Sequence, residues 1–102
     1  MEQEEFLGTY RLVQRPHEPL AWQHTHFRNL FIARAPSGKW YAQERKHLGQ
    51  GKGHLVLADP QCDWPHESAE PWRSADGSGG WAEQPGLKLC AVSGWKLALS
   101  AW

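Results

Sequence analysis

Proline and glycine interrupt every long window of this 102-residue sequence, which contains seven prolines and ten glycines. No segment keeps the apolar spacing of i, i+3, i+4 and i+7 with which an amphipathic helix buries one face. Short alternating stretches rich in aromatic and β-branched residues lie between the turn-forming residues instead. The sequence therefore predicts an all-β fold: a small antiparallel sandwich or barrel of about seven to nine short strands built from hairpins.

Two hairpins stand out along the chain. In the stretch 29–44, two aromatic-rich runs flank Pro36-Ser37-Gly38, whose residues are typical of tight turns. A second hairpin is predicted between 87–92 and 95–100, with Ser93 and Gly94 as its turn residues. The other predicted strands are 8–14, 20–26, 54–58 and 81–83. The 29–44 hairpin is interpreted as scaffold, and any functional site is expected in the less regular segment 64–81.

Length and charge narrow the functional classes. The chain is expected to form one domain over 1–102, with 1–5 as a frayed lead-in. Eleven basic residues balance eleven acidic ones, and nucleic acids bind basic surfaces, so no nucleic-acid partner is expected. No apolar run reaches the roughly 18 residues of a membrane-spanning helix. The acidic start differs from a basic signal peptide, which favours an intracellular location with Cys62 and Cys90 reduced.

A set of spaced glycine, aromatic and leucine residues runs from 6 to 92. Its members are Gly8, Tyr10, Leu12, Trp22, His24, Leu30, Phe31, the run 38–41, Pro71, Trp72, Asp76, Gly77, Trp81, Pro85, Leu87 and Leu89. Their order resembles a small tryptophan-rich β module that recurs singly or in tandem in large protist proteins. The resemblance implies a compact β fold and carries no catalytic motif or assigned activity. The last strand, which ends at Trp102, departs from the pattern.

Few side chains are spaced for metal binding. His24 and His26 lie two residues apart on a predicted strand, so both imidazoles share one face, and Cys62 and His66 could complete a tetrahedral zinc site. The spacing matches no standard zinc module, however, and half-exposed strand histidines with a packed thiol are the simpler interpretation. We therefore predict no metal and no cofactor.

Candidate catalytic groups are equally sparse. A catalytic thiol needs an electropositive site, whereas Cys62 has Asp63 beside it and only His66 or His54 as a base. Carboxylates that could be paired for glycoside hydrolysis all lie in loop-like sequence: Glu67, Glu70, Asp76 and Glu83. A zinc-dependent or Cys/His enzyme is left as an alternative, and the balance of residues favours a non-enzymatic protein.

Tryptophan is the residue type that points to a function. Because aliphatic residues are few, Trp22, Trp40 and Trp95 are expected in the core. The candidate binding residues lie in or beside loops or at the terminus: Trp64, Trp72, Trp81 and Trp102. Of these, Trp64 and Trp102 are predicted to be exposed.

These tryptophans support two hypotheses of different class. In the first, the chain is a non-enzymatic protein-interaction module, or a small subunit of a larger assembly, that contacts a protein partner through exposed tryptophans. In the second, it is a carbohydrate-binding module in which Trp64 and Trp72 stack on sugar rings. The sugar hydroxyls would then bond to Asp63, Glu67 and Asp76. The exposure of each tryptophan is the observation that separates them.

Overall fold

The computed structural model describes residues 4–14, 16–17, 20–57, 59, 61–68, 70–75 and 80–101. Within these ranges it contains nine β-strands and three single 3-10 turns, and none of the described helical segments could cross a membrane. The strands are β1 Gly8–Val13, β2 Ala21–His24, β3 Leu30–Arg34, β4 Trp40–Glu44, β5 Leu55–Leu57, β6 Trp72–Ala75, β7 Trp81–Gln84, β8 Leu87–Ser93 and β9 Lys96–Ala101. The 3-10 turns are η1 Glu4–Phe6, η2 Arg45–His47 and η3 Pro65–Glu67. The all-β prediction is confirmed.

All nine strands belong to one antiparallel sheet with the order β7-β6-β5-β4-β3-β2-β1-β9-β8. Strands β1 to β7 form a meander, and β9 returns to pair with β1. Because every neighbour is antiparallel and the number of strands is odd, the two edge strands, β7 and β8, run in the same direction. Neighbouring parallel strands need a connection of about a dozen residues between them. Strands β7 and β8 are joined by only two residues, Pro85 and Gly86, so they cannot pair with each other. The curled sheet therefore remains an incompletely closed barrel with a seam at this link.

The inner face of the curled sheet forms the main core. Alternate residues of a strand share a face, so the inward set is read directly from the register. Its buried members are Phe6, Tyr10, Trp22, Leu30, Ile32, Trp40, Ala42, Leu55, Leu57, Trp72, Leu87, Leu89, Leu97 and Leu99. Each buried tryptophan removes about 150–250 Å² from water, which is worth about 4–6 kcal/mol before conformational entropy is subtracted. The predicted burial of Trp22 and Trp40 is confirmed.

The central strands are covered on their outer face as well. Ala21, Phe31 and Ala33 form one outer cluster, and Tyr41 and Val56 belong to another. The 29–44 hairpin predicted from sequence is observed as β3 and β4, with five residues of each strand paired from Leu30↔Glu44 to Arg34↔Trp40. Its interpretation as scaffold agrees with burial on both faces.

The prediction that Trp95 is buried is wrong. Ser93 pairs with Lys96, so the two turn residues are Gly94 and Trp95, one position later than predicted. A bulge between Ala91 and Ser93 shifts the register just before the turn, and bulges of this kind are not marked by composition. As a result, Trp95 is 63% exposed, whereas Leu97 and Leu99 face the core.

The predicted frayed lead-in over 1–5 lies mostly outside the described residues, which begin at Glu4. Glu4–Phe6 form η1, and Phe6 is fully buried in the core. The Tyr10 hydroxyl donates a hydrogen bond to the Phe6 carbonyl oxygen, which ties η1 to β1. Burial raises the pKa of Tyr10, with a smaller contribution from the negative charge of Glu5. The phenol is therefore a neutral core group.

Candidate functional site

The loop between β5 and β6 carries the predicted site residue Trp64, and its conformation is set by Asp59. One carboxylate oxygen of Asp59 accepts a hydrogen bond from the Gln61 backbone N–H at 3.1 Å. The other accepts from the Ser68 hydroxyl at 2.6 Å. Pro65 starts η3, where its missing N–H costs nothing, and its side chain is buried. This bonding closes the segment 59–68 on itself and holds Trp64 at its middle.

Arg34 fixes this segment to the scaffold. Its Nη2 donates to the Cys62 carbonyl oxygen at 2.9 Å, and its Nε donates to the Gly38 carbonyl oxygen at 2.9 Å. The guanidinium carbon lies 5.7 Å from the centre of the Trp40 ring, within the range of a cation–π contact. One side chain therefore joins the turn after β3 to the loop that carries Trp64.

A cavity of about 250 Å³ lies beside Trp64. We call it the tryptophan notch, and it is lined by Leu12, Trp22, Trp64, His66, Glu67 and Gly94. The centres of the Trp22 and Trp64 rings are 6.5 Å apart and their planes meet at 81°, so the two indoles form a corner. Trp22 is only 3% exposed, whereas 38% of Trp64 is exposed. The predicted exposure of Trp64 is confirmed.

Two side chains that line the notch each have one buried nitrogen without a hydrogen-bond partner in the structure. In the described part of the chain, three buried side-chain nitrogens are unpartnered: Trp22 Nε1, Trp40 Nε1 and His66 Nδ1. Two of these three side chains, Trp22 and His66, line the notch. Both atoms have almost no accessible surface, so the cavity is bordered by the apolar parts of these side chains.

Two ionisable side chains are among the described residues that line the notch, the Glu67 carboxylate and the His66 imidazole. Among the described residues that line it, Glu67 is the only Asp, Glu, Lys or Arg. The exposed Trp95 lies close to this site, because the Leu12 backbone N–H donates to the Trp95 carbonyl oxygen at 2.8 Å and Gly94 forms part of the wall. The arrangement thus suits a neutral ligand with an apolar surface.

The other predicted binding residues do not join Trp64. Trp72 faces the core from β6 and is 3% exposed, so the predicted Trp64–Trp72 stacking platform lacks one of its rings. Trp72 pairs with Leu57 and thereby begins a strand that the loop-like composition concealed. Trp81 is 41% exposed, but it begins β7 and packs against Tyr41 on the outer face, with ring centres 6.4 Å apart. Trp102 and Asp76 lie outside the described residues.

His24 and His26 do not form the candidate pair of metal ligands, and His24 has a structural role instead. Strand β2 ends at His24, so His26 lies in the following bend and the two imidazoles do not share a strand face. His24 Nδ1 accepts hydrogen bonds from the backbone N–H groups of His26 and Phe27, each at 3.0 Å. Its Nε2 therefore carries the proton and donates to the Leu7 carbonyl oxygen at 2.8 Å. Both ring nitrogens are occupied, and neither is available to a metal.

The remaining metal and catalytic candidates are also dispersed. Cys62 donates from its thiol to the Asp59 carbonyl oxygen at 3.2 Å, and burial, aided by the Asp59 charge, raises the pKa of this thiol. A raised pKa is the opposite of what a nucleophilic cysteine needs. His54 instead lies 3.2 Å from the Glu44 carboxylate. In the described ranges, no group of three or more His, Cys, Asp or Glu residues could hold a metal ion, and both cysteines are unbonded.

The paired carboxylates proposed for glycoside hydrolysis have different surroundings. Glu83 lies 3.6 Å from Arg73 across the β6–β7 ladder. Glu67 borders the tryptophan notch, and Glu70 lines a separate groove of about 380 Å³ along the barrel seam. The structure therefore gives these three carboxylates three separate settings.

Comparison of the chain with protein-family models, curated proteins and solved structures finds no match. The resemblance to the tryptophan-rich β module thus stays a prediction. Many of the residues that carry it, among them Tyr10, Trp22 and Trp72, are core residues in this fold. The functional argument therefore depends on the notch itself.

Proposed function

We propose that this chain is a non-enzymatic protein-interaction module whose binding surface is the end of the barrel that contains the tryptophan notch. The observation that carries the proposal is the exposed Trp64, which lines a cavity of about 250 Å³ and packs edge to face on Trp22. Trp95, on the neighbouring turn, adds a second exposed aromatic surface. Tryptophan is enriched among the residues that dominate protein–protein binding energies.

The geometry favours a protein partner over a carbohydrate. A sugar ring stacks on a flat aromatic face, and the two indoles of the notch meet at 81° instead of forming a platform. The burial of Trp72 removes the second ring on which the carbohydrate hypothesis depends. What still supports that hypothesis is Trp64 with Glu67 beside it, so glycans belong in the same experiment.

A peptide display library and a glycan panel, screened with the same protein, test the proposal. We expect the wild type to enrich peptides that it binds at least about tenfold more tightly than Trp64→Ala does. Trp81→Ala is the matched control, because it removes an equally exposed tryptophan from another surface. Enrichment of glycans but not peptides, or peptide binding that ignores Trp64, would contradict the proposal.

A further inference from the structure

A second pocket, beside the end of strand β2, collects positive charge. Its volume is about 170 Å³, and it is lined by Arg11, Val13, Gln23, His24, Thr25 and Arg28. We infer that this pocket binds a phosphate monoester, which the guanidinium groups of Arg11 and Arg28 hold between them. Alternate residues of a strand point to opposite faces, so Arg11 lies on the other face of β1 from Leu12, which lines the tryptophan notch. The inference therefore goes beyond the proposed function and concerns a separate surface.

Neither arginine has a partner for its charge in the described part of the chain. The side chains of Arg11 and Arg28 make no ion pair or hydrogen bond there, and the described residues that line the pocket include no Asp or Glu. The chain as a whole has as many acidic as basic residues. Two unpaired guanidinium groups at one pocket are therefore a local excess of positive charge.

The bend that carries Arg28 is fixed to β2 by two buried side chains. Gln23, which is only 9% exposed, donates from Nε2 to the Arg28 carbonyl oxygen at 2.7 Å. His24 Nδ1 accepts from the backbone N–H groups of the next two bend residues but one, His26 and Phe27, each at 3.0 Å. Gln23 also lies directly opposite Arg11 in the β1–β2 ladder. The fold thus holds the backbone of Arg28 close to the strand position of Arg11.

Arg11 also faces a second cation in the sheet. On its other side β1 pairs with β9, where Arg11 lies directly opposite Lys96. Side chains at such positions share a face, with Cβ atoms about 5 Å apart, and like charges directly opposite each other are destabilising. This pair costs stability in the free protein, and a bound anion would offset that cost. The Arg11–Lys96 pair is evidence for an anion that is independent of the pocket.

The amount of charge favours a dianion. A phosphate monoester carries close to two negative charges at neutral pH and has three strong acceptor oxygens. Guanidinium groups bind such oxygens through paired N–H donors, and the Thr25 hydroxyl can donate from the same wall. A carboxylate would neutralise only one of the two arginines, and a metal cation would be repelled by both.

The test follows the side-chain Nε–H signals of Arg11 and Arg28 in ¹⁵N-labelled protein. The probes are inorganic phosphate and a capped phosphoserine peptide at constant ionic strength, with acetate as the singly charged comparison. We expect both phosphate probes to shift both signals saturably, and acetate to bind at least about tenfold more weakly. Tighter binding of the peptide would identify a phosphorylated protein as the source of the group, and equal affinities would identify free phosphate.

Variants separate the contacts. Arg11→Gln and Arg28→Gln should each weaken phosphate binding at least about fivefold, because each removes one charged donor pair. Arg28→Lys retains the charge without the planar fork and should still weaken binding about threefold. Arg73→Gln is the matched control, because Arg73 lies beside Glu83 on β6 and outside the pocket. Arg11→Gln should also raise the melting temperature of the free protein slightly, since it separates Lys96 from a like charge.

The outcomes keep this inference apart from the proposed function. No saturable shift with either phosphate probe, or equal binding of acetate, would overturn the inference. Phosphate binding that both glutamine variants retained would overturn it too. So would tighter binding, through the same arginines, of an oligonucleotide without a terminal phosphate. None of these results depends on Trp64, whereas the interaction module is tested by peptide binding that does.

Discussion

Two irregular loops flank strand β5, and they differ in whether the buried polar side chains beside them are hydrogen-bonded. The loop 45–53, before β5, surrounds Gln43, which is fully buried. The side-chain oxygen of Gln43 accepts from the Gly49 N–H at 2.8 Å, and its nitrogen donates to the carbonyl oxygens of Gln50 and Lys52 at 3.0 and 2.6 Å. This loop is bound to the sheet through one satisfied side chain.

The loop 59–68, after β5, has its own internal bonds through Asp59 but adjoins unpaired nitrogens at Trp22 and His66. It also exposes Trp64, whereas nothing comparable is exposed by the residues around Gln43. A fully paired buried polar group is typical of a scaffold, and an exposed tryptophan beside a cavity is typical of a binding site. The contrast between the Gln43 loop and the Trp64 loop can be tested by substitution.

The largest expected effect comes from Gln43→Leu. The substitution removes three hydrogen bonds and leaves the backbone groups of Gly49, Gln50 and Lys52 without their partner, so the free energy of unfolding should fall by about 3 kcal/mol. Urea unfolding measures this loss. Gln50→Leu is the control, because that side chain is exposed, and it should change stability by less than about 0.5 kcal/mol. Equal effects of the two substitutions would show that Gln43 does not hold the loop.

A second test of the Gln43 loop compares two of its glycines. A Cβ on Gly53 would lie 2.7 Å from the Ala42 carbonyl oxygen, a backbone atom that cannot turn away. We expect Gly53→Ala to destabilise the fold by about 2 kcal/mol, in the range of overpacking. At Gly51 the nearest atom is the Tyr41 hydroxyl at 3.8 Å, so Gly51→Ala should be neutral or stabilise slightly. The melting temperatures of both variants settle the comparison, and a similar fall in both would contradict it.

Much of the fold could be predicted from the sequence because its signals are local. The alternation of Leu87 and Leu89, and of Leu97 and Leu99, follows from side-chain period alone. Strand β6 could not be found in this way, since its pairing with β5 spans a loop of proline-rich sequence. The prediction for Trp95 fails because a bulge moves the turn by one residue.

Only part of the candidate site could be predicted from the sequence. The exposure of Trp64 follows from its position in a loop-like segment, and that prediction was confirmed. The contact between Trp22 and Trp64 could not be predicted, because nothing in the sequence places a core residue of β2 against the loop after β5. The prediction that His24 and His26 share a strand face is wrong. His24 Nδ1 accepts hydrogen bonds from the backbone of the next turn, a contact that the spacing of the two histidines does not reveal.

On the Trp64 side of the comparison, Arg34→Met tests how the site loop is held. The substitution retains an apolar stem against Trp40 but removes the hydrogen bonds to Cys62 and Gly38. Charged hydrogen bonds are worth about 1.5–3 kcal/mol, and partial exposure should reduce the loss of stability to about 1–2 kcal/mol. Amide hydrogen exchange should speed up in 61–68 more than in 45–53. Uniform acceleration in both loops would mean that Arg34 stabilises the whole fold and not this segment.

The smallest expected effect concerns the ends of the Gln43 loop, where Glu44 and His54 meet. The hydrogen bond from His54, at 3.2 Å, lowers the pKa of the Glu44 carboxyl, and the charge of Lys46 acts in the same direction. A lowered pKa in the folded state stabilises the protein above the pKa of the unfolded chain. That stabilisation is lost as the pH falls through the folded pKa. Because the pair is partly exposed, the contribution should be below about 1 kcal/mol.

Two measurements check this titration. In carboxyl NMR, His54→Gln should move the pKa of Glu44 upward, toward its ordinary value, by more than Lys46→Met does, since the hydrogen bond is the larger cause. In urea unfolding, wild type and Glu44→Gln should differ above the unfolded pKa and converge in acid. If Lys46→Met had the greater effect, the lowered pKa of Glu44 would come mainly from the charge of Lys46 and not from the His54 hydrogen bond. Gln43 would then be the side chain that holds the loop 45–53 in place.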